Sequence, residues 1–170
     1  ALAIRSTTLL PEDLSVLGQV TSLKVLGIGS TKTNDEVVGN LTTLANLESL
    51  DLSSTAVTPA VGALLSRLTN LQELNLALTS VDDSTVAAIA SLPIRRLVLS
   101  QTRISNASLA TIRQMRSLES LDVPFCAVTG EGFRGFDRSG LKRLNVGETG
   151  FGLEGFIAIK GMKSLEDLNV

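Results

Sequence analysis

Hydrophobic positions recur along this chain with a long, nearly constant period. The same short pattern starts at seven places, which are Leu23, Leu47, Leu71, Ile94, Leu118, Leu141 and Leu165. Successive starts are separated by 23 or 24 residues. Each copy has apolar residues at its first, fourth and sixth positions, and the opening segment Ala1–Leu9 fits the tail of an earlier copy. Eight copies, the first and last of them partial, therefore cover residues 1–170 and predict one repetitive domain.

The two halves of each copy predict different elements. In the first half, apolar residues at the fourth and sixth positions indicate a short strand that turns its third and fifth positions to the opposite face. In the second half, apolar residues recur at three- and four-residue spacing behind capping residues. This pattern predicts helices that start at Thr58–Pro59, Asp82–Asp83 and Ser105–Asn106. Glycines dilute the helical pattern between Gly130 and Gly140, so we expect only a short helix or a turn there.

The whole pattern resembles the leucine-rich repeat family, whose repeat reads L-x-x-L-x-L-x-x-N/C-x-L. The resemblance extends from end to end, with one consistent departure at the ninth position, where the commonest members have Asn. This chain has Thr7, Thr31, Thr55, Thr79, Thr102, Cys126 and Thr149 there. It looks closest to the cysteine-containing and related bacterial or protist subtypes. The resemblance implies a right-handed α/β solenoid, with a concave parallel β-sheet, convex short helices and a protein partner bound on the sheet.

The ninth position ends the predicted strand, where main-chain groups are left without partners. A hydroxyl or thiol at this position can satisfy such groups. We therefore expect the ninth-position residues, Cys126 included, to be structural rather than reactive.

In this family the partner most often contacts the third, fifth, seventh and eighth positions. Our candidate partner-binding residues on this face are Leu78, Arg96, Val98, Gln101, Asp122, Phe125 and Arg143. Leu78, Val98 and Phe125 come from three consecutive repeats, and an apolar anchor beside an arginine is typical of an interface hot spot. The alternative interpretation is that Phe125 folds over the strand edge and Leu78 packs under a loop.

Opposite charges occupy equivalent positions in neighbouring repeats. We expect four ion pairs across strands, which are Glu73–Arg96, Arg143–Asp167, Arg95–Glu119 and Lys142–Glu166. Exposed pairs of this kind contribute about 0.2–1 kcal/mol each and mainly set the strand register.

Composition and charge exclude several classes of function. Fifteen basic residues nearly balance 17 acidic residues, for a net charge of -2, whereas a nucleic-acid binder usually has a basic excess. The chain has no histidine, which removes the commonest general base and the histidine-dependent nucleophile systems. The segment Gly150–Gly155 matches a dinucleotide-binding pattern but occupies a turn found in every repeat. We expect no catalysis, no metal and no cofactor.

The single Cys126 allows no internal disulfide and favours a reducing compartment. We therefore predict a cytoplasmic protein, with a secreted effector as the alternative. No apolar run is long enough for membrane insertion. The chain begins and stops inside predicted strands without polar caps, so we expect a fragment of a longer protein, or an end-to-end homodimer through the uncapped ends.

The leading functional prediction is protein–protein recognition, in a receptor, an adaptor or a host-directed effector. One alternative is the substrate-recognition module of a larger enzyme such as a ubiquitin ligase. Another is a structural array that associates with itself.

Overall fold

The computed structural model describes residues 2–3 and 16–170. In this part of the chain eight short strands form one parallel sheet in sequence order. They are β1 (Leu2–Ala3), β2 (Val25–Gly27), β3 (Ser49–Asp51), β4 (Glu73–Asn75), β5 (Arg96–Val98), β6 (Ser120–Asp122), β7 (Arg143–Asn145) and β8 (Asp167–Asn169). Neighbouring strands pair in register, so equivalent positions of successive repeats lie side by side.

Short helices connect the strands. The α-helices are α1 (Asp35–Leu41), α2 (Val61–Leu65), α3 (Asp83–Ile89), α4 (Asn106–Ile112) and α5 (Gly152–Ile159). Short 3-10 helices span Val16–Gln19, Gly130–Phe133 and Phe136–Arg138. Consecutive helices contact one another and form a second layer behind the sheet. The predicted α/β solenoid is therefore confirmed.

Helix starts follow the predicted capping residues in two of three cases. Asp82 accepts a hydrogen bond from the Ser84 N–H at 2.9 Å, and Ser105 accepts one from the Ala107 N–H at 3.2 Å. At Thr58–Pro59 the predicted capping bond forms, since the Thr58 hydroxyl accepts from the Ala60 N–H at 3.3 Å, but the predicted start is wrong because α2 begins only at Val61. The turn before it is closed by the short-range bond from the Val61 N–H to the Thr58 carbonyl, at 3.1 Å. Such a bond is of the 3-10 type, so the regular helix starts only after this turn.

The core lies between the sheet and the helices. The fourth-position leucines of β2–β7 and the sixth-position residues of the same repeats are buried, as predicted from the pattern. The helices add the apolar stripes Val86–Ile89 and Leu109–Ile112. A side chain at a third or fifth position is consequently left on the opposite, open face of the sheet.

The ninth-position row closes each strand, as expected. The Thr79 hydroxyl donates to the Leu76 carbonyl at 2.6 Å, and the Thr102 hydroxyl donates to the Leu99 carbonyl at 2.7 Å. Cys126 is buried, and its thiol donates to the same Leu99 carbonyl of the preceding repeat at 3.1 Å. Thr7 lies outside the described residues.

Phenylalanines replace a regular helix in the glycine-rich stretch. The Phe133 ring lies 5.3 Å from the Phe136 ring and 5.3 Å from the Phe151 ring, measured between centroids. A Cβ atom on Gly130 would lie 2.1 Å from the Gly155 nitrogen, so only glycine permits this approach. A Cβ atom on Gly155 would lie 2.5 Å from the Phe151 ring. The last glycine of the dinucleotide-like segment is therefore required for packing.

Candidate functional site

The sheet residues among our candidates share one open face. Arg96 is paired in register with Glu73 and Ser120, and Arg143 is paired with Ser120 and Asp167. Val98 and Asp122 lie side by side at the fifth position of β5 and β6. Arg96, Asp122 and Arg143 line a groove of about 420 Å³, and Arg96 with Val98 also lines a neighbouring groove of about 340 Å³. Arg96 therefore separates two halves of the concave face.

The rim residues Leu78, Gln101 and Phe125 follow β4, β5 and β6 at the eighth repeat position. Leu78 is 53% exposed and Phe125 is 57% exposed. Their main chain is fixed, since the Leu78 N–H donates to the Ser100 carbonyl at 2.8 Å and the Gln101 N–H to the Pro124 carbonyl at 3.0 Å. The exposure of Leu78 does not fit the alternative in which its side chain packs under a loop.

The backbone geometry does not explain why the rim carries large apolar residues. Leu78 has φ 58°, Gln101 has φ 54° and Phe125 has φ 57°, all in the left-handed region. Non-glycine residues pay about 1–2 kcal/mol for this conformation. The same position holds polar residues elsewhere, namely Ser30, Ser54 and Glu148. Leu78 and Phe125 therefore contribute little to the turn or to the core, and about half of each side chain stays exposed.

The fifth position normally has a structural role. The Asp51 carboxylate accepts a hydrogen bond from the Ser53 N–H at 2.9 Å, and the Asn75 side chain accepts one from the Ala77 N–H at 3.0 Å. This bond, to the residue two places on, closes the turn after the strand. Asn145 repeats the arrangement after β7.

Two candidate residues depart from this role. Val98 has no side-chain oxygen to accept this bond. Asp122 has one, but the residue two places on, which donates the bond in other repeats, is Pro124 and has no N–H. The one hydrogen bond to the Asp122 side chain among the described residues comes from the Asn145 side-chain amide, at 3.3 Å. Both residues are thus released from closing their own turn. Pro124 can be seen in the sequence. That it removes the donor for Asp122 is recognised only from the fifth-position hydrogen bonds of the other repeats.

The predicted ion pairs are only partly correct. Arg95 pairs with Glu119 at 2.8 Å, as expected, but Lys142 pairs with Glu119 at 2.9 Å rather than with Glu166. The hydrogen bond and charge of Lys142, together with Arg95, lower the pKa of Glu119.

The two pairs predicted at the third position are wrong. Among the described residues, no ion pair within 4.0 Å joins Glu73 to Arg96 or Arg143 to Asp167. The Glu73 carboxylate instead accepts a hydrogen bond from the Ser49 hydroxyl at 3.2 Å. Exposed arginines gain little from such pairs and retain their side-chain freedom in water.

Sequence reasoning missed a second function of Asp83. Its carboxylate accepts hydrogen bonds from the Ser105 N–H at 2.8 Å, from the Ser105 hydroxyl at 2.7 Å and from the Ser108 N–H at 3.1 Å. The Ser108 hydroxyl also donates to it. Burial raises the pKa of Asp83, but the hydrogen bonds from Ser108 and Ser105 outweigh burial and hold the pKa below its ordinary value of 3.8. Asp82 caps its own helix, whereas Asp83 binds the next repeat.

Metal-binding clusters and membrane-spanning helices are both absent from the described part of the chain. Within residues 2–3 and 16–170, no group of three or more His, Cys, Asp or Glu side chains is arranged to hold a metal ion. None of the helices in the same ranges has the length and apolar character needed to cross a membrane.

Solved structures with the same arrangement of in-register strands and short helices are known. An internalin C2 (inlC2) from Listeria monocytogenes superposes with a TM-score of 0.69 at 16% identity, covering 99% of this chain and 79% of that protein's chain. An internalin (inlF) from the same species gives a TM-score of 0.68 at 14% identity, covering 92% of this chain and 50% of that one. The chain has the leucine-rich repeat fold. No protein-family model matches this leucine-rich repeat chain, and no curated protein matches it by sequence.

Proposed function

We propose that this leucine-rich repeat chain is a recognition module that holds another protein on its concave face. The contact set consists of Leu78, Arg96, Val98, Gln101, Asp122, Phe125 and Arg143. The observation that carries the proposal is the exposure of Leu78 and Phe125 on the same rim, at 53% and 57%. Polar residues serve the same turn in the other repeats.

The spacing of these residues suits a partner protein. Neighbouring strands lie about 4.8 Å apart, so Leu78 and Phe125 are separated by roughly 10 Å, with Gln101 between them. Burial of a half-exposed Leu or Phe side chain stabilises a complex by about 1 kcal/mol. Gln101 then supplies hydrogen-bonding groups at the centre of an apolar pair, and Arg96 lies on the adjacent sheet surface.

The proposal does not depend on the protein that carries the module. A receptor, an adaptor, a host-directed effector and the substrate-recognition part of a larger enzyme would all use the face in the same way. We assign this chain the recognition step and no catalytic step. Cys126 is buried, so its thiol is protected in oxidising surroundings as well, and the cytoplasmic location stays a prediction.

Affinity capture from the source-cell lysate tests the proposal. Three forms of the chain are used as bait: wild type, a rim variant with Leu78→Ser and Phe125→Ser, and a convex variant with Leu153→Ser and Ile157→Ser. Leu153 and Ile157 are 74% and 58% exposed on α5, so the convex variant removes comparable apolar surface far from the rim. Mass spectrometry identifies the captured proteins, and melting curves verify that all three baits are folded.

We expect a protein that wild type and the convex variant both capture and that the rim variant loses. Retention by the rim variant would show that Leu78 and Phe125 are not contacts. Loss by the convex variant alone would move the partner to the helices. Sedimentation of the chain without lysate separates both cases from the alternative of a self-associating array, because only the array would form homodimers or longer assemblies.

A further inference from the structure

Ser120 is a buried polar residue without a partner on the concave face. It lies at the third position of β6, is 5% exposed and lines the groove between β5 and β8. Its hydroxyl forms no hydrogen bond with any described residue. Among the described residues the one fully enclosed side-chain oxygen without a partner belongs to Ser139, so the Ser120 hydroxyl opens onto the groove and can donate to an acceptor that enters there.

The same chain satisfies another third-position serine internally. On β3 the Ser49 hydroxyl donates to a carboxylate oxygen of Glu73 on the next strand, at 3.2 Å. Ser120 has the same position in its repeat, but its in-register neighbours on both sides are arginines, Arg96 and Arg143. Arginine has no acceptor, so the carboxylate that Glu73 supplies to Ser49 has no equivalent beside Ser120.

The two arginines are themselves available. Neither Arg96 nor Arg143 forms an ion pair with a described residue. Each lies one strand from Ser120, which puts their main chains about 4.8 Å from it on either side. Arg96, Ser120 and Arg143 therefore lie on three adjacent strands and line the same groove, and each carries at least one hydrogen-bond donor.

The charges that line the groove favour a singly charged anion over a doubly charged one. Its charged lining residues are Arg96, Arg143, Asp122 and Asp167, so the charges cancel. A phosphate dianion would be repelled by the two aspartates more strongly than a carboxylate monoanion. Planar carboxylates also match the paired N–H donors of arginine.

We propose that Ser120, Arg96 and Arg143 form a subsite for one carboxylate side chain, an Asp or Glu of the bound protein. The inference rests on the proposed function and adds the chemistry of the partner. A partner segment would seat its acidic side chain over Ser120 and cover the rim residues Leu78 and Phe125 with apolar groups. The partner's carboxylate would then accept the hydrogen bond of Ser120, as the Glu73 carboxylate accepts that of Ser49.

Nuclear magnetic resonance tests the subsite without the natural partner. The isotope-labelled chain is titrated with N-acetyl-glutamic acid α-amide, which carries one carboxylate, and with N-acetyl-glutamine amide, its uncharged counterpart. Inorganic phosphate is the third probe. The resonances followed are the main-chain amide of Ser120 and the side-chain Nε–H groups of Arg96 and Arg143.

We expect saturable shifts at these three residues with the glutamate probe and none with the glutamine probe. Arg143→Gln and Ser120→Ala should each weaken glutamate binding roughly tenfold, because a hydrogen bond to a charged group is lost. Arg116→Gln, which removes an exposed positive charge elsewhere on the molecule, should leave it unchanged. Ser120→Ala should not lower the melting temperature, since the hydroxyl has no partner to lose.

Three results would overturn the inference: no saturable shift at Ser120 with glutamate, equal shifts with glutamine, or tighter binding of phosphate than of glutamate. The rim variant Leu78→Ser/Phe125→Ser separates this inference from the proposed function. It should still bind the glutamate probe while it loses the captured partner. If it keeps the partner, the proposed rim contact fails independently of the carboxylate subsite.

Discussion

Two rows of Asp and Asn side chains use the same chemistry on opposite sides of the solenoid. On the convex side, Asp83 accepts from the Ser105 N–H at 2.8 Å, which joins one repeat to the next. Asp35 does the same with Thr58, and Asn106 with Thr129. On the concave side, the fifth-position residues bond within their own repeat, to the residue two places on. The convex row therefore holds repeats together, whereas the concave row closes individual turns.

Each row is interrupted at positions where the regular Asp or Asn is replaced or cannot form its usual bond, and the two rows differ in what surrounds these positions. The convex row is interrupted at Pro59, Gly130 and Leu153. At Gly130 the Phe133 ring packs against Phe136 and Phe151. The concave row is interrupted at Ala3, Gly27, Val98 and Asp122, and the last three of these residues line the open grooves. An interruption that packing compensates is a structural substitution. The proposed partner surface includes two of the concave interruptions, Val98 and Asp122.

The largest expected effect tests the convex row. Asp83→Ala should lower the free energy of unfolding by about 2 kcal/mol, because Ser105 and the buried Ser108 lose their acceptor. Asp83→Asn should lose much less, since Asn106 forms the equivalent bonds to Thr129 in the next repeat. Urea denaturation of both variants measures the difference. Equal losses in the two variants would mean that the charge of Asp83, rather than its acceptor oxygens, joins the repeats.

The pH dependence of stability provides a second test of Asp83. Hydrogen bonds hold the pKa of Asp83 below 3.8 in the folded chain, so its contribution to stability is fully present above that pH. The contribution is lost as the pH falls from 3.8 through the lower folded pKa. The stability difference between wild type and Asp83→Asn should therefore be constant above about pH 5 and change in favour of the Asn variant below pH 3.8. A difference that does not vary with pH would contradict the lowered pKa.

The next effect tests the concave row with a matched pair. Asn75→Ala should lower the free energy of unfolding by about 1 kcal/mol, because the Ala77 N–H loses its acceptor. Asp122→Ala should change it by less than about 0.5 kcal/mol, because Pro124 offers no N–H to this carboxylate. Thermal or urea unfolding measures both variants. A loss at Asp122 as large as that at Asn75 would show that Asp122 has a structural role after all.

The smallest effect concerns the rim. Leu78→Asn should raise the free energy of unfolding by up to about 0.5 kcal/mol, because Asn tolerates the left-handed conformation better than Leu. Leu153→Asn makes the same chemical change at an exposed helical site, where the poorer helix propensity of Asn should lower stability by roughly 0.5 kcal/mol. Opposite signs in the two melting experiments are the expected result. A clear loss of stability at Leu78 would mean that the rim residue is needed for folding.

Much of the fold could be predicted from periodicity. The strand register, the buried leucines and the ninth-position hydrogen bonds follow from a repeat that recurs every 23 or 24 residues. The start of α2 could not be predicted in this way, because Thr58 and Pro59 favour a helix start in isolation while the local turn closes with shorter bonds. Capping patterns describe one helix end, and they do not include the geometry of the preceding turn.

The sequence predicted that the strand residues among the candidates share the concave face, but not which bonds they form. The sequence places Glu73 beside Arg96 and thereby suggests an ion pair, yet Glu73 bonds to Ser49 on its other side. A long exposed side chain can reach either neighbour, and the sequence does not rank the two. The lack of an internal acceptor for the Ser120 hydroxyl is seen only when the hydrogen bonds of Ser49 and Ser120 are compared.

The architecture follows from the amino-acid sequence, since apolar residues that recur at a fixed period are buried when each repeat stacks on the next. The sequence also shows which side chains share the open face, because alternate residues of a strand point to opposite sides. Which of those side chains already have partners depends on the tertiary structure. Hydrogen bonds between repeats join residues 21 to 27 positions apart, and their choice depends on distances and directions that no local pattern contains.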